Sequence, residues 1–208
     1  MIQTALWDNQ SVDMRQTIGV GLTAACMLAA QGATPIVVQV GGRRFMADIE
    51  DTATGRAFLS KLPLELAMDE LNGNEKYCYG VALPAAAKYV PSISAGEIKL
   101  YGSNCVVLFY GAAGGYSYTD IGKLRTVDGL ERAVGSGRAT VRFEQVDLKA
   151  TIKMCEEGPD VGVKSNMPSG TDVKVFGARN LQDEDWTDVT AMSVSGRKSF
   201  KFFKLKAE

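Results

Sequence analysis

Three features of the sequence predict a mainly β protein: a closed antiparallel β-barrel with one or two short helices, followed by a small C-terminal β-module. The first is the run Cys105-Val-Val-Leu-Phe-Tyr110. Its six apolar residues are too few for a typical helix and rich in β-branched and aromatic types, so it reads as a strand buried on both faces at the centre of the core. The second is the alternation of inward and outward residues in a series of short segments divided by glycine and asparagine. The third is that only two short stretches change to a helical period.

Taken in order, Ile36, Val38 and Val40 alternate with Val37 and Gln39, Gly41-Gly42 interrupts, and Phe45, Ala47 and Ile49 alternate with Met46 and Asp48. Two strands joined by a glycine turn are expected. From Asp51 to Leu62 the period changes. Phe58, Leu59 and Leu62 share one face, Asp51 or Thr54 is available as the cap, and Pro63 is the stop. Leu64, Leu66 and Met68 then alternate with Glu65, Ala67 and Asp69, and Asn72-Gly73 supplies a type I′ turn into Glu75, Tyr77 and Tyr79. A loop rich in Ala and Pro, from Ala82 to Pro91, leads to Gly96 and through Ile98 and Leu100 to the central strand. Beyond it, Gly111-Ala-Ala-Gly-Gly115 runs into Tyr116-Ser-Tyr-Thr119, expected to fold back as the second arm of a hairpin.

Asp128 is placed to cap a short helix through Leu130, Ala133 and Val134 that Gly135 ends, and Ala139, Val141 and Phe143 alternate with Thr140, Arg142 and Glu144. About seven strands with two short helices suit a closed barrel. After Val146, Ala150, Ile152 and Met154 alternate, Gly158-Pro159 breaks the chain, Val173, Val175 and Phe176 form a further strand, and Phe200, Phe202 and Phe203 lie among lysines. The expected organisation is an N-terminal segment over 1–33, the barrel over 34–145 and the small β-module over 146–208.

Composition excludes several functions. Hydrophobic residues make up 46% of the 208, enough to bury a core, and the net charge is −1 with both signs interspersed. Without a positive field to attract phosphates, nucleic acid is not an expected partner. Histidine is absent, which removes the commonest general base and metal ligand, so any chemistry has to use carboxylates, Lys, Tyr or Cys. Cys26, Cys78, Cys105 and Cys155 form no C-x-x-C pair, so no structural zinc, and no cofactor, is expected. Cys105, inside the apolar run, reads as a small hydrophobe, and spacing leaves disulfide pairing open.

Met14-Arg15 precedes the apolar segment Ile18 to Ala30, an order that resembles a secretory signal peptide starting at Met14 and cleaved near Gly32. The segment is too short for a comfortable transmembrane span, so none is expected in the mature protein. Leu22-Thr-Ala-Ala-Cys26 is loosely similar to a lipoprotein cleavage site, which leaves lipidation of Cys26 open. Secretion, or placement in the periplasm or cell envelope, is the expectation. The alternative is a surface helix of a cytoplasmic protein, and the polar, unpatterned residues 1–13 favour it. Gly19-x-Gly21-x-x-Ala24 spells a dinucleotide-binding fingerprint, but no buried strand feeds the glycines and nothing downstream alternates strand with helix.

Leu59-Ser-Lys-Leu-Pro-Leu64, Leu71-Asn-Gly-Asn-Glu-Lys-Tyr77, Tyr101 through Tyr110, Tyr116-Ser-Tyr-Thr119 and Ile121-Gly-Lys123 together resemble the bacterial cyclophilin-like domain family, in its order and spacing, over about Ile36 to Phe143. The resemblance implies a cyclophilin-type β-barrel flanked by short helices. It does not imply prolyl isomerase activity. True cyclophilins carry a Phe-His-Arg segment beside an aromatic pocket, with glutamine, tryptophan and histidine around the groove. This chain has no histidine and its barrel region no tryptophan, so none of those positions carries over. Isomerisation needs little more than a proline pocket and a donor to the imide nitrogen, and Arg56 or Arg125 is available for such a rebuilt site. After Gln145, Met167-Pro-Ser-Gly-Thr171, Phe176-Gly177, Asp185-Trp-Thr-Asp188 and Phe200-Lys-Phe-Phe-Lys204 resemble the small C-terminal β-domains of some secreted bacterial surface proteins.

Two smaller patterns read as structure. Asp183-Glu-Asp185 with Asp188 lacks the spacing of a calcium loop, and Ser195-Gly-Arg-Lys198 places a Ser-x-x-Lys match in a glycine turn rather than at the start of a buried helix. The residues shared with the cyclophilin-like family remain as site candidates: Asn72, Glu75, Tyr77, Tyr101, Asn104, Tyr116 and Tyr118. Tyrosines beside amide and carboxylate groups line grooves for a peptide or a small molecule, and equally serve as barrel packing. A non-catalytic binding or structural module is the favoured class, and a divergent peptidyl-prolyl isomerase the alternative.

Overall fold

The computed structural model describes residues 22–24, 32–180, 182 and 185–207. Contacts divide them into two units, one built on residues 32–145 with Met167–Ser169, the other on Leu22–Ala24, Val146–Asn166 and the residues from Gly170 onward.

The short strand β1 (Leu22–Ala24) belongs to the second unit. The first unit contains β2 (Ala33–Val40), β3 (Arg43–Glu50), helix α1 (Ala53–Leu59), β4 (Leu64–Leu71), β5 (Glu75–Tyr79), β6 (Lys88–Val90), β7 (Glu97–Tyr101), β8 (Cys105–Phe109), β9 (Tyr116–Leu124), helix α2 (Leu130–Val134) and β10 (Ala139–Gln145). Its strands run antiparallel in the order β3-β2-β10-β4-β5-β8-β7-β9, and β9 pairs back onto β3 through Ala47–Leu124, Asp48–Lys123 and Ile49–Gly122. The ring of eight is therefore closed, and β6 adds to β9 beside it. Closure removes the free edges of an open sheet.

The alternating residues fill the barrel. Ile36, Val38, Phe45, Ile49, Leu66, Met68, Ile98, Leu100, Val106, Leu108, Val141 and Phe143 form one buried cluster, which Phe58 of α1 and Leu130 and Val134 of α2 extend. Every residue of β8 is buried, as its unbroken apolar run predicts. Asn72 and Gly73 both have positive φ, 55° and 71°, and the Asn74 amide donates to the Leu71 carbonyl across the turn, the backbone that a type I′ connection requires.

Three local expectations are corrected. The Tyr116–Leu124 strand is not the hairpin partner of β8; β8 lies between β5 and β7, and β9 pairs with β7 instead. The reason is the tight Gly102-Ser-Asn104 connection, which folds β7 directly onto β8 and leaves the glycine loop to carry the chain past β7. The cap of α1 is Thr52, whose hydroxyl accepts from the Gly55 amide at 3.0 Å, rather than Asp51 or Thr54; the Thr54 hydroxyl donates to the Pro84 carbonyl at 2.7 Å. Asp128 is not the cap of α2, which begins from Gly129 at φ 75° without a side-chain cap, while Gly135 ends it as expected. The Ala- and Pro-rich loop also contains β6.

In the second unit β11 (Leu148–Cys155) forms a hairpin with β12 (Gly158–Ser165) and pairs on its other side with β1; β13 (Val173–Ala178) lies between β14 (Thr187–Asp188) and β15 (Phe202–Ala207). Ser195–Arg197 is a single 3₁₀ turn, where buried Arg197 donates to the Val189 and Thr190 carbonyls, so the Ser-x-x-Lys serine does not start a buried helix. Asp188 accepts from the Thr190 hydroxyl at 2.6 Å; Asp183 and Glu184, like Gly19, Gly21 and Cys26, lie outside the described residues. Cys78, Cys105 and Cys155 are free thiols. Among the described residues no group of His, Cys, Asp or Glu is arranged to hold a metal, and no helix is long and apolar enough to cross a membrane.

Candidate functional site

The side chains of β5 separate by parity. Lys76 and Cys78 turn to the barrel side, and Glu75, Tyr77 and Tyr79 to the outer wall, because successive residues of a strand face opposite ways. Cross-strand register then assembles rows on that wall. Tyr79 stands opposite Cys105, which stands opposite Tyr101; Tyr77 stands opposite Val107, and Glu75 opposite Phe109. From β9, Tyr118 packs edge-on against Phe109, with ring centroids 5.5 Å apart, and tilts against Tyr101 at 5.7 Å; Tyr77 and Tyr79 meet edge to face at 5.9 Å. Ile93, Cys105, Val107, Phe109 and Tyr118 form a small buried cluster beneath the rows, separate from the barrel interior.

Two loops frame this wall. Ile93 and Ala113 exchange backbone hydrogen bonds at 2.8 and 3.1 Å, and the Gly115 amide donates to the Val90 carbonyl at 2.9 Å. A Cβ on Gly114 would lie 2.3 Å from the Pro91 carbonyl oxygen, so only glycine allows that approach. On the opposite side the Asn74 carbonyl accepts from the Tyr110 and Gly111 amides at 2.9 and 3.0 Å, and its Nδ2 donates to the Ala112 carbonyl at 2.9 Å. The type I′ turn and the glycine loop are thereby tied together.

Between them lies a cavity of about 470 Å³, a volume of the order used by small-molecule sites. Asn72, Glu75, Tyr77, Tyr101, Tyr116 and Tyr118, six of the seven residues singled out in the sequence, line it. Asn104 does not. It sits in the exposed β7–β8 turn, where its carbonyl accepts from the Val81 amide at 3.1 Å. Leu71, Asn74, Tyr79, Cys105, Val107 and Gly114 also contribute and were not singled out. The two-residue period that selects Glu75 and Tyr77 also selects Tyr79, so that residue was within reach of the sequence. The face taken by Cys105 was not, because β8 is buried on both sides.

The wall is electrostatically one-sided. Glu75 is 7% exposed, and burial, then repulsion from Glu70, pushes its carboxyl above the ordinary glutamate range. Burial pushes the Cys105 thiol to about 11 and the Tyr118 phenol to about 12, and in both cases the Glu75 charge adds to the rise. Both groups therefore stay protonated at neutral pH. No lysine or arginine lines the cavity among the described residues. Arg56 is on α1, paired with Asp51 at 2.5 Å, and Arg125 grips Asp48 through two hydrogen bonds of 2.9 and 2.7 Å. Neither reaches this wall.

A closed eight-stranded antiparallel barrel with a tyrosine-walled cleft on its outer face is a compact β-barrel scaffold that presents a ligand-sized site. Within that class the chain belongs to the cyclophilin-like family, whose profile matches residues 38–144, nearly the whole ring of strands. No curated protein and no solved structure matches the chain.

Proposed function

We propose that this protein is a non-catalytic binding module whose tyrosine-walled cavity takes a small molecule or a short stretch of peptide. One observation carries the reading: Leu71, Tyr79, Tyr101 and Tyr116, all exposed large side chains, gather around one cavity instead of scattering over the surface. Exposed aromatic rings grouped at a concave site offer apolar area with polar tips, which is how binding surfaces are made. The isomerase alternative draws no support from Arg56 or Arg125, whose guanidinium groups are engaged elsewhere. Placement in the bacterial envelope or outside the cell is part of the proposal, supported by the C-terminal resemblance to surface-protein domains and by the charged-then-apolar order from Met14 to Ala30, although β1 within that stretch pairs with β11 and so favours its being retained rather than cleaved.

A fragment library screened by saturation-transfer NMR tests this reading, with Val107→Phe as the variant that fills the cavity. Fragments are expected to bind the native protein and to lose their signal with Val107→Phe, while its β-sheet circular dichroism is unchanged. Fragments that bind the variant equally, or no fragment bound at all, would overturn the cavity as the site. A prolyl tetrapeptide assay run alongside, with a cyclophilin as positive control, is expected to show no acceleration; acceleration would make the module an enzyme.

A further inference from the structure

Among the described residues, the two lysines buried in the barrel unit have partners. Lys76, fully buried, donates to Glu70 and to the Gly135 and Gly137 carbonyls at 2.9 and 2.5 Å; Lys99, 5% exposed, is held by Glu97 at 2.8 Å and by Asp120. Buried Glu75 differs. Among the described residues no hydrogen bond or ion pair reaches its carboxylate, and the only charge acting strongly on it is the repelling Glu70. Asn74, which lines the same cavity, donates from Nδ2 to the Ala112 carbonyl and keeps its Oδ1 buried without a partner, whereas the Glu75 oxygens stay open to the cavity. Buried acceptors, and charges above all, are normally paired because desolvation without compensation is costly. Here the missing groups are donors and a positive charge, and the surroundings are the faces and edges of five tyrosines. Aromatic rings attract a cation that has been stripped of water.

Resting on the reading of this cavity as a binding site, we infer that its ligand carries a protonated amine on an apolar stem, with the ammonium against Glu75 and the tyrosine rings and the stem along Val107 and Leu71. A small aliphatic amine and a lysine side chain of a peptide share this chemistry. The cavity, rather than the protein's net charge of −1, supplies the selection.

Calorimetric titration of the full chain with n-pentylamine, with Nα-acetyl-lysine methylamide and with its Nε-dimethyl form tests the inference, against 1-pentanol and Nα,Nε-diacetyl-lysine methylamide as uncharged counterparts. At least one amine is expected to bind about tenfold more tightly than its uncharged counterpart. Tighter binding of the blocked lysine than of pentylamine would assign the ligand to peptide, and the reverse to a free amine; both support the inference. Glu75→Gln should remove the tenfold preference without weakening the uncharged probes, and Tyr101→Leu should weaken the amines about threefold while keeping apolar area. Amines that bind no better than their counterparts, or whose binding is indifferent to Glu75→Gln, would overturn the inference and leave the cavity reading intact. If no probe binds while the fragment screen succeeds, the amine is again excluded. Failure of the fragment screen as well would remove the cavity itself.

Discussion

At Glu75 the folded protein holds a carboxyl that is shielded from water and repelled by Glu70. Its proton is bound more tightly in the folded than in the unfolded chain, so this group's contribution to stability is fully present below the ordinary glutamate value of 4.5 and is lost as pH rises through the raised folded value. Glu75→Gln abolishes that decline. Thermal unfolding without ligand should show the variant melting above the native protein at pH 7, by a gap on the order of 2–4 °C, with the gap closing below about pH 4.5. A gap that widens in acid would mean that the carboxylate is stabilised in the fold. Glu70, one strand away, behaves oppositely: burial pushes it up, but hydrogen bonds from Lys76 and Tyr110 outweigh this and hold its carboxyl low. Two glutamates on the β4–β5 hairpin thus respond to acid with opposite signs.

The hairpin also shows what an element owes to one side chain. Lys76 crosses from β5 to the loop after α2, and its three acceptors account for all three ammonium protons. Lys76→Met would leave Glu70 without its countercharge, though still bonded by Tyr110 and Gly73, and two carbonyls without a donor, and urea unfolding should show a loss of about 3–5 kcal/mol. Adding Glu70→Leu should restore a substantial part of it. Elements of this kind were largely legible in the sequence. Period and turn chemistry place β2 to β5, the all-buried β8 and both helices, since these signals depend on a few neighbouring residues. Six cavity residues were legible by a different route, as residues shared with the cyclophilin-like family. What the sequence did not settle was choice among equivalent partners. Asp51, Thr52 and Thr54 can all cap a helix, and packing against Pro84 withdraws Thr54 from the role. Likewise an alternating strand such as β9 does not state which neighbour it will pair with, so its partner was misassigned.

Across the whole barrel unit, closure depends on the seam between β3 and β9. A Cβ at Gly122 would lie 2.3 Å from the Asp48 carbonyl oxygen and 3.0 Å from the Ile49 Cα, so any side chain there forces the two strands apart. Gly122→Val should cost about 1–3 kcal/mol in chemical denaturation. Gly162→Ala in β12, whose nearest atom is 3.9 Å from the added methyl, serves as the control and should change stability by less than about 0.5 kcal/mol. A Gly122→Val variant as stable as the control would show that the seam adjusts.

The strand order places β10, the last of the eight in sequence, between β2 and β4. During synthesis, therefore, the β2–β3 and β4–β5 hairpins emerge with facing edges that nothing can yet join, and they stay open until Gln145 has left the ribosome. A nascent chain arrested at residue 138 exposes two unpaired strands at once, the state in which strands recruit other chains. Until β10 is available, the chain has two strand edges, those of β2 and β4, that nothing in the barrel pairs.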